Sequence, residues 1–260
     1  MCFPISNHFF PILTKKLLDT SMGSTFILFM SHHVNPKSVF VVIPAYNEST
    51  TIQTVVQKLL SFGYSPVVVD DGSAIPLKPF VATGSVFFIR HRVNLGQGAA
   101  LQTGIDFALA KNAAYIVTFD ADGQHDATNI NQLLEVLIEN KADIILGSRF
   151  MTGSVHNMPA KRKRLLKLAR YINYFFSGLL LTDAHNGLRV MTNSAAKKIQ
   201  LRENRMAHAT EILSQIKKNK LRYIEAPATI LYTDYSRQKG QTLWSSFRIF
   251  FDIVLNKVFK

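Results

Sequence analysis

The sequence predicts an α/β protein, a single domain built on a mostly parallel sheet. Three observations lead there. From Ser38 onward, short continuous apolar runs alternate with helix-period segments, the pattern of strands buried on both faces and their crossover helices. Three of those runs end in polar segments that carry carboxylates. No internal repeat and no Pro-, Gly- or Ser-rich linker divides the chain.

The elements follow in order. Ser38–Pro44 (SVFVVIP) is the first buried strand. Residues 50–63 form a helix, with Ser49 as its N-cap and Gly63 closing it. SPVVVDDGS is a second strand that ends in carboxylates, and GSVFFIRH is a third. A helix runs from Gly96 to Lys111. AAYIVTFDADGQ is a fourth strand, again with an acidic end, and residues 126–141 are helical. ADIILGSR is the fifth strand. Then come an apolar helix over 165–181, a helix over 208–220 and a strand over 221–235 broken at Pro227. From Leu243, Phe247, Phe250, Phe251, Val254, Leu255, Val258 and Phe259 repeat at helical spacing and predict an amphipathic C-terminal helix, 243–260. Residues 1–36 have no clear period and no motif. They are expected to be a poorly ordered extension ahead of the 37–242 domain, with a short membrane-touching anchor as the alternative.

Charge narrows the partners. The 260 residues hold 30 Lys+Arg against 17 Asp+Glu, a net +13, which favours nucleic acid, acidic lipid or phosphorylated small molecules. Acidic strand ends would repel nucleic acid, and the aromatics lie in apolar helical faces rather than interleaved with basic clusters. Nucleic acid is therefore not expected. The one cysteine, Cys2, excludes an internal disulfide framework and a Cys-rich zinc site and fits an intracellular protein. No apolar run reaches the roughly 20 residues of a spanning helix. No acidic residue lies between Asp143 and Asp183, an interval that holds Arg149, Lys161, Arg162, Lys163, Arg164, Lys167 and Arg170.

Ligands of open parallel sheets bind at the carboxyl ends of the strands. Here those ends read Pro44-Ala45-Tyr46-Asn47-Glu48, Asp70-Asp71-Gly72-Ser73 and Asp120-Ala121-Asp122-Gly123-Gln124-His125. A lone Asp-x-Asp is commonly a loop or a helix cap. Two acidic strand ends in this order instead suit Mg²⁺ or Mn²⁺, hard ions that keep open positions for phosphate oxygens. There is no Gly-x-Gly-x-x-Gly after the first strand and no Gly-Lys-Ser/Thr loop.

VVIPAYNE, VVVDDGS, NLGQGAALQTGI, FDADGQH and GSRF stand in one order. That ordered set resembles family 2 glycosyltransferases of the GT-A (Rossmann-like) fold, in the branch that makes polyprenyl- or dolichyl-phosphate sugars. The resemblance covers about Ser38 to Thr242. It implies a donor pocket of Pro44, Tyr46, Glu48, Asp70, Asp71, Asn94 and Gly96, and metal and diphosphate binding by Asp120, Asp122 and Gln124. Gln97 stands where relatives often carry Lys. His125 is either a supporting partner or a cap for the next helix. Arg149 and Arg164 would bind acceptor phosphate, with Asp183 and Arg189 bordering that pocket and Glu211 near it. Arg237 and Lys239, followed by Thr242, would fold over the donor diphosphate.

The implied reaction is inverting transfer of a sugar from a UDP- or GDP-linked donor to polyprenyl phosphate. Asp122, Arg149, Arg164 and Arg237 would carry it. A phosphate monoester is largely dianionic at neutral pH, so no strong base is needed. A saccharide hydroxyl acceptor, the alternative, would need one. The basic stretch, the apolar helix and the C-terminal helix fit a chain held peripherally on the cytoplasmic face of a membrane, directly or through a small membrane protein. Equally, the 165–181 helix could pack in the core.

Overall fold

The strands order as β3-β2-β1-β4-β6-β5-β7 in one seven-stranded sheet. Their ranges are β1 Val39–Ala45, β2 Ser65–Asp70, β3 Phe87–Arg90, β4 Tyr115–Thr118, β5 Ile144–Ser148, β6 Arg189–Thr192 and β7 Tyr223–Pro227. The helices are α1 Ile52–Ser61, α2 Gln97–Ala110, α3 Thr128–Glu139, α4 Ala160–Ser177, the single turn α5 Asn193–Ala196 and α6 Ala207–Lys218. The computed structural model describes residues 34–81, 85–154, 160–203 and 207–231, apart from the side chains of 160–162, 165, 167, 169 and 172. The N-terminal extension through residue 33, Arg237, Lys239, Thr242 and the C-terminal helix lie outside the described residues.

β1 pairs in parallel with β2 and β4, and β2 with β3. β5 pairs in parallel with β7. β6 runs antiparallel between β4 and β5, so the mostly parallel sheet has one reversed strand. All of β1 is buried. Its odd residues Val39, Val41 and Ile43 pack with α1 and α3 through Ile52, Leu59, Ile130 and Leu133. Its even residues Phe40 and Val42 pack on the other face with α2 and α6 through Leu101, Ile105, Ile212 and Leu213. Both faces of the strand are therefore apolar, which is why it reads as an unbroken run.

Two local expectations change. The N-cap of helix α1 is Thr51, not Ser49, because the Glu48 carbonyl already accepts the Thr51 and Ile52 amides at 3.2 and 3.0 Å. The Thr51 hydroxyl bonds back to Glu48 Oε2 at 3.2 Å. Gly63 does close the helix: its amide reaches Leu60 O at 2.9 Å and the Tyr64 amide reaches Leu59 O at 3.3 Å. The apolar helix of the second half, α4, is not a core helix. It packs on α6 along one side, with Asn173 and Ser177 buried, and leaves Leu168, Tyr171, Tyr174 and Phe175 exposed. Among the described residues no helix is long and apolar enough to cross a membrane.

Strand order reverses at β1: the chain runs to β2 and β3 on one side and returns to β4 on the other. That is the switch point where open α/β sheets take ligands. The predicted site residues of β1, β2 and β4 meet there.

Candidate active site

The ends of β1 and β2 are laced together. The Asn47 amide donates to Ser73 Oγ at 2.9 Å and the Ala74 amide to Asn47 Oδ1 at 3.0 Å. Asp70 is fully buried. It accepts from the Ser73 and Leu77 amides and from Arg90 Nη1, so it braces the turn. Asp71 is buried too, and holds the 91–96 loop. Its oxygens accept the Leu95 and Gly96 amides at 2.9 and 2.8 Å, and His91 bridges it at 2.8 Å to the Thr103 hydroxyl at 3.0 Å. Asp71, expected in the donor pocket, is therefore a carboxylate already engaged with its own loop. Gly96 opens α2 at φ 97°, a left-handed conformation that glycine adopts without strain, and this aims its amide at Asp71. Pro44 is buried inside β1 opposite Val69 and stands behind the rim. Tyr46 and Asn94 are exposed and Glu48 is half-buried.

The end of β4 carries the acidic centre. Asp120 accepts from His125 Nε2 at 2.9 Å and from Gln97 Nε2 at 3.3 Å. Burial works to raise its pKa, but the His125 hydrogen bond and charge, with Arg189 and His208 beyond, hold it below the ordinary value. Asp122 goes the other way, pushed up to about 6 by burial and then by the Asp120 and Glu48 charges, against the Gln124 amide at 3.0 Å. The two neighbouring carboxylates are thus shifted in opposite directions, Asp120 down and Asp122 up. A cleft of about 370 Å³ opens beside Asp122 and His125, against Thr50, Thr54 and Lys58. His125 proves to be the supporting partner of Asp120. The start of α3 is held instead by Asp126, which takes the Thr128 amide at 3.1 Å. Gly187 faces the Asp120 carboxyl so closely that a Cβ there would collide with it.

A third cluster adjoins. Arg149, at the end of β5, grips Asp183 with Nε at 2.6 Å and Nη2 at 2.7 Å, while its own amide adds 3.0 Å. Both residues are buried. Burial raises the Asp183 pKa, but the Arg149 charge and hydrogen bonds win and set it below the ordinary value. The fork expected to hold acceptor phosphate is thus closed on Asp183, a charge-assisted pair of the strongest geometry. Glu225 of β7 gathers the same segment, accepting the Thr182 amide and hydroxyl and the Asp183 amide. Arg189 opens β6 opposite Thr118 and Leu146. Burial brings its pKa down to about 10, while Asp120 and Asp183 both support its charge. Electrostatically it joins the acidic centre to the Arg149 pair.

A polar cleft of about 300 Å³ lies next to that pair, lined by Arg149, Thr152, Ser154 and Lys163 among others. Lys163 reaches this cleft. Arg164, one residue and about 100° further round the helix, is exposed on the outer side of α4. Glu211 serves the chain rather than the cleft, accepting the Arg202 and Glu203 amides. Gln97, His91 and Glu225 are the site residues that sequence reasoning left without a role. Only Gln97 had a local signal, as the first helical residue after Gly96. Among the described residues no three His, Cys, Asp or Glu side chains converge as a ready metal cage.

The sequence signature of glycosyl transferase family 2 matches residues 40–200. The chain belongs to glycosyl transferase family 2. It is a glycosyltransferase. The UDP-N-acetylglucosamine–dolichyl-phosphate N-acetylglucosaminyltransferase of Methanococcus voltae is 32% identical over 245 residues, covering 86% of this chain and 98% of that one. The polyprenol monophosphomannose synthase of Mycolicibacterium smegmatis is 31% identical over 170 residues, 62% of this chain and 64% of that one. Among solved structures, glucosyl-3-phosphoglycerate synthase of Mycobacterium tuberculosis, crystallised with Mn²⁺, UDP-glucose and phosphoglyceric acid, aligns with TM-score 0.61 at 14% identity. It covers 84% of this chain and 77% of that one. That likeness establishes the GT-A-type fold of this glycosyltransferase.

Proposed function

We propose that this glycosyltransferase moves a sugar, with inversion, from a UDP- or GDP-linked donor to polyprenyl phosphate at the cytoplasmic face of a membrane. The observation that carries the reading is the position of the polar cleft. It is lined by Lys163 and the Arg149 loop, lies in a segment without a single acidic residue from 144 to 182, and is tied through Arg189 to the acidic centre. An anionic acceptor beside a donor site is what that distribution of charge suits. Two relatives named for transfer to dolichyl phosphate and to polyprenol support it.

The donor nucleotide rests on Tyr46, Glu48 and Asn94, over the loop that Asp71 and Gly96 hold. Asp120, Asp122 and Gln124 offer hard oxygen ligands, and the raised pKa of Asp122 comes partly from Asp120 and Glu48, so a divalent cation among them relieves the repulsion. Bound there, Mg²⁺ or Mn²⁺ would neutralise charge on the leaving diphosphate. His125 and Gln97 hold Asp120 in place. Arg237 and Lys239 would add positive charge against the diphosphate. Lys163 meets the acceptor phosphate in the cleft, and Arg164 attracts it at the rim. Arg149 keeps Asp183 and the 182–189 segment rigid and acts on the acceptor through them. The acceptor's second pKa is about 6, so it arrives as a dianion and attacks without a protein base.

The test is incubation of the full chain with Mg²⁺ or Mn²⁺, radiolabelled UDP- and GDP-sugars and a short polyprenyl phosphate. Label from one donor in the organic phase is the expected result. Donor hydrolysis with no organic-phase label refutes the lipid-phosphate acceptor.

A further inference from the structure

We infer that the outer face of α4 is a docking surface for an anionic lipid bilayer, and that it sets the acceptor cleft against the membrane. The inference rests on the lipid-phosphate reading for its purpose, but on α4 itself for its evidence. Arg164, Leu168, Tyr171 and Phe175 follow one another at spacings of four, three and four, one stripe of a helix. Leu168, Tyr171, Tyr174, Phe175 and the nearby Leu180 make up five of the exposed large apolar side chains on the described surface, and Phe175 is 82% exposed. Such concentration on one element is what a contact surface shows; scattered single residues are ordinary. The opposite side of α4 is already occupied: Asn173 and Ser177 are buried and bonded to each other at 3.2 Å, and α6 packs there.

The chemistry selects a lipid interface. Tyrosine, phenylalanine and leucine flanked by basic residues suit the headgroup boundary, where rings enter the acyl region and polar tips stay wet. The Arg170 guanidinium lies 4.8 Å over the Tyr171 ring and its Nη2 donates to the Tyr171 hydroxyl at 3.3 Å, which keeps a positive charge at that level. α4 contains no acidic residue, while Lys163 and Arg164 lie in its first turns. That charge complements anionic headgroups, worth about fivefold in binding per basic residue near the surface. Lys163 also lines the acceptor cleft, so the helix that lies on the membrane also presents that cleft to it.

The full chain is floated with vesicles of phosphatidylcholine alone and of phosphatidylcholine mixed with phosphatidylglycerol. The expected result is flotation that favours the anionic vesicles. The triple variant Leu168→Ser/Tyr171→Ser/Phe175→Ser should lose about tenfold in binding per side chain removed, with its melting temperature unchanged because all three positions are exposed. In a Cys2→Ser background, an environment-sensitive dye on Phe175→Cys should brighten and shift to the blue on anionic vesicles, while the same dye on Glu139→Cys of α3 should not. Flotation of the triple variant equal to the wild type overturns the inference, as does a dye at 175 that stays in water while the chain is on vesicles. A concentration-dependent shift without vesicles also overturns it, because a second copy or a protein then covers the face. With a short water-soluble prenyl phosphate the triple variant should turn over like the wild type and fail only on acceptor embedded in vesicles. If the wild type docks through α4 but labels no prenyl phosphate of any length, the docking face stands and the acceptor reading falls.

Discussion

Asp183→Asn separates a buried structural pair from a phosphate-binding arginine. Asp183 accepts from Arg149 N, Nε and Nη2 at 3.0, 2.6 and 2.7 Å, and its side chain is 1% exposed against 8% for Arg149. Asparagine is isosteric, but it brings an NH₂ where Arg149 needs an acceptor, so one fork bond becomes a donor facing a donor. The guanidinium stays buried and loses its counter-charge. Breaking one side of such a pair costs about 3–5 kcal/mol, and at about 2–4 °C per kcal/mol for a domain of this size the melting temperature falls by roughly 6–20 °C. The assay is thermal and urea unfolding at neutral pH, beside Asp183→Leu/Arg149→Leu, which removes both charges and should recover most of the loss. The pair also has a pH signature. The folded-state pKa of Asp183 is depressed, so its contribution is complete well above the unfolded value of about 4 and drains away as pH falls below that value toward the folded one. The variant and wild-type curves should therefore converge in acid. A shift of under about 1 kcal/mol for Asp183→Asn, the value of an exposed pair, would refute the reasoning.

Other substitutions test the neighbouring links. Asp122→Asn should abolish transfer while raising the melting temperature of the metal-free protein. Because the folded pKa of Asp122 is raised to about 6, that gain should grow between about pH 4 and pH 6 and level off above; equal curves at all pH values would refute the crowding of Asp122. Added Mn²⁺ should stabilise the wild type and not the variant, read as the shift in melting temperature with and without metal. Gly187→Ala places a methyl against the Asp120 carboxyl and should cost about 1–3 kcal/mol of stability, with a larger fall in kcat than in donor affinity; wild-type kinetics would show that Asp120 has room to move. Glu225→Gln leaves the Thr182 and Asp183 amides competing for one neutral acceptor and should cost about 1–3 kcal/mol by denaturant unfolding. Lys163→Ala should raise the acceptor KM more than Arg164→Ala does, since Lys163 lines the cleft and Arg164 faces outward.

What could be read from the chain divides along a physical line. β1, β2, β4 and β5 were legible because helices cover both faces of the sheet, which forces unbroken apolar runs that no loop or amphipathic helix imitates. Their chemically loaded ends followed from the rule that parallel sheets bind ligands there. β6 was not legible. It has four residues and begins with Arg189, and a charged residue entering a buried strand looks like a loop until Asp120 and Asp183 are seen to flank it. The α1 cap was misplaced for a similar reason, because the Glu48 carbonyl, and not a side chain, decides where that helix begins. The pairings were the least legible of all. Arg149 and Asp183 stand 34 positions apart and Asp71 and His91 stand 20 apart, with no periodicity to connect them. Residue type marks Arg149 as a partner for anions; the fold sets a protein carboxylate, Asp183, against its fork. A buried arginine must be paired, so the identity of its partner is settled by which carboxylate the topology delivers. Here β5 and the segment entering β6 deliver Asp183, which accepts from three nitrogens of Arg149.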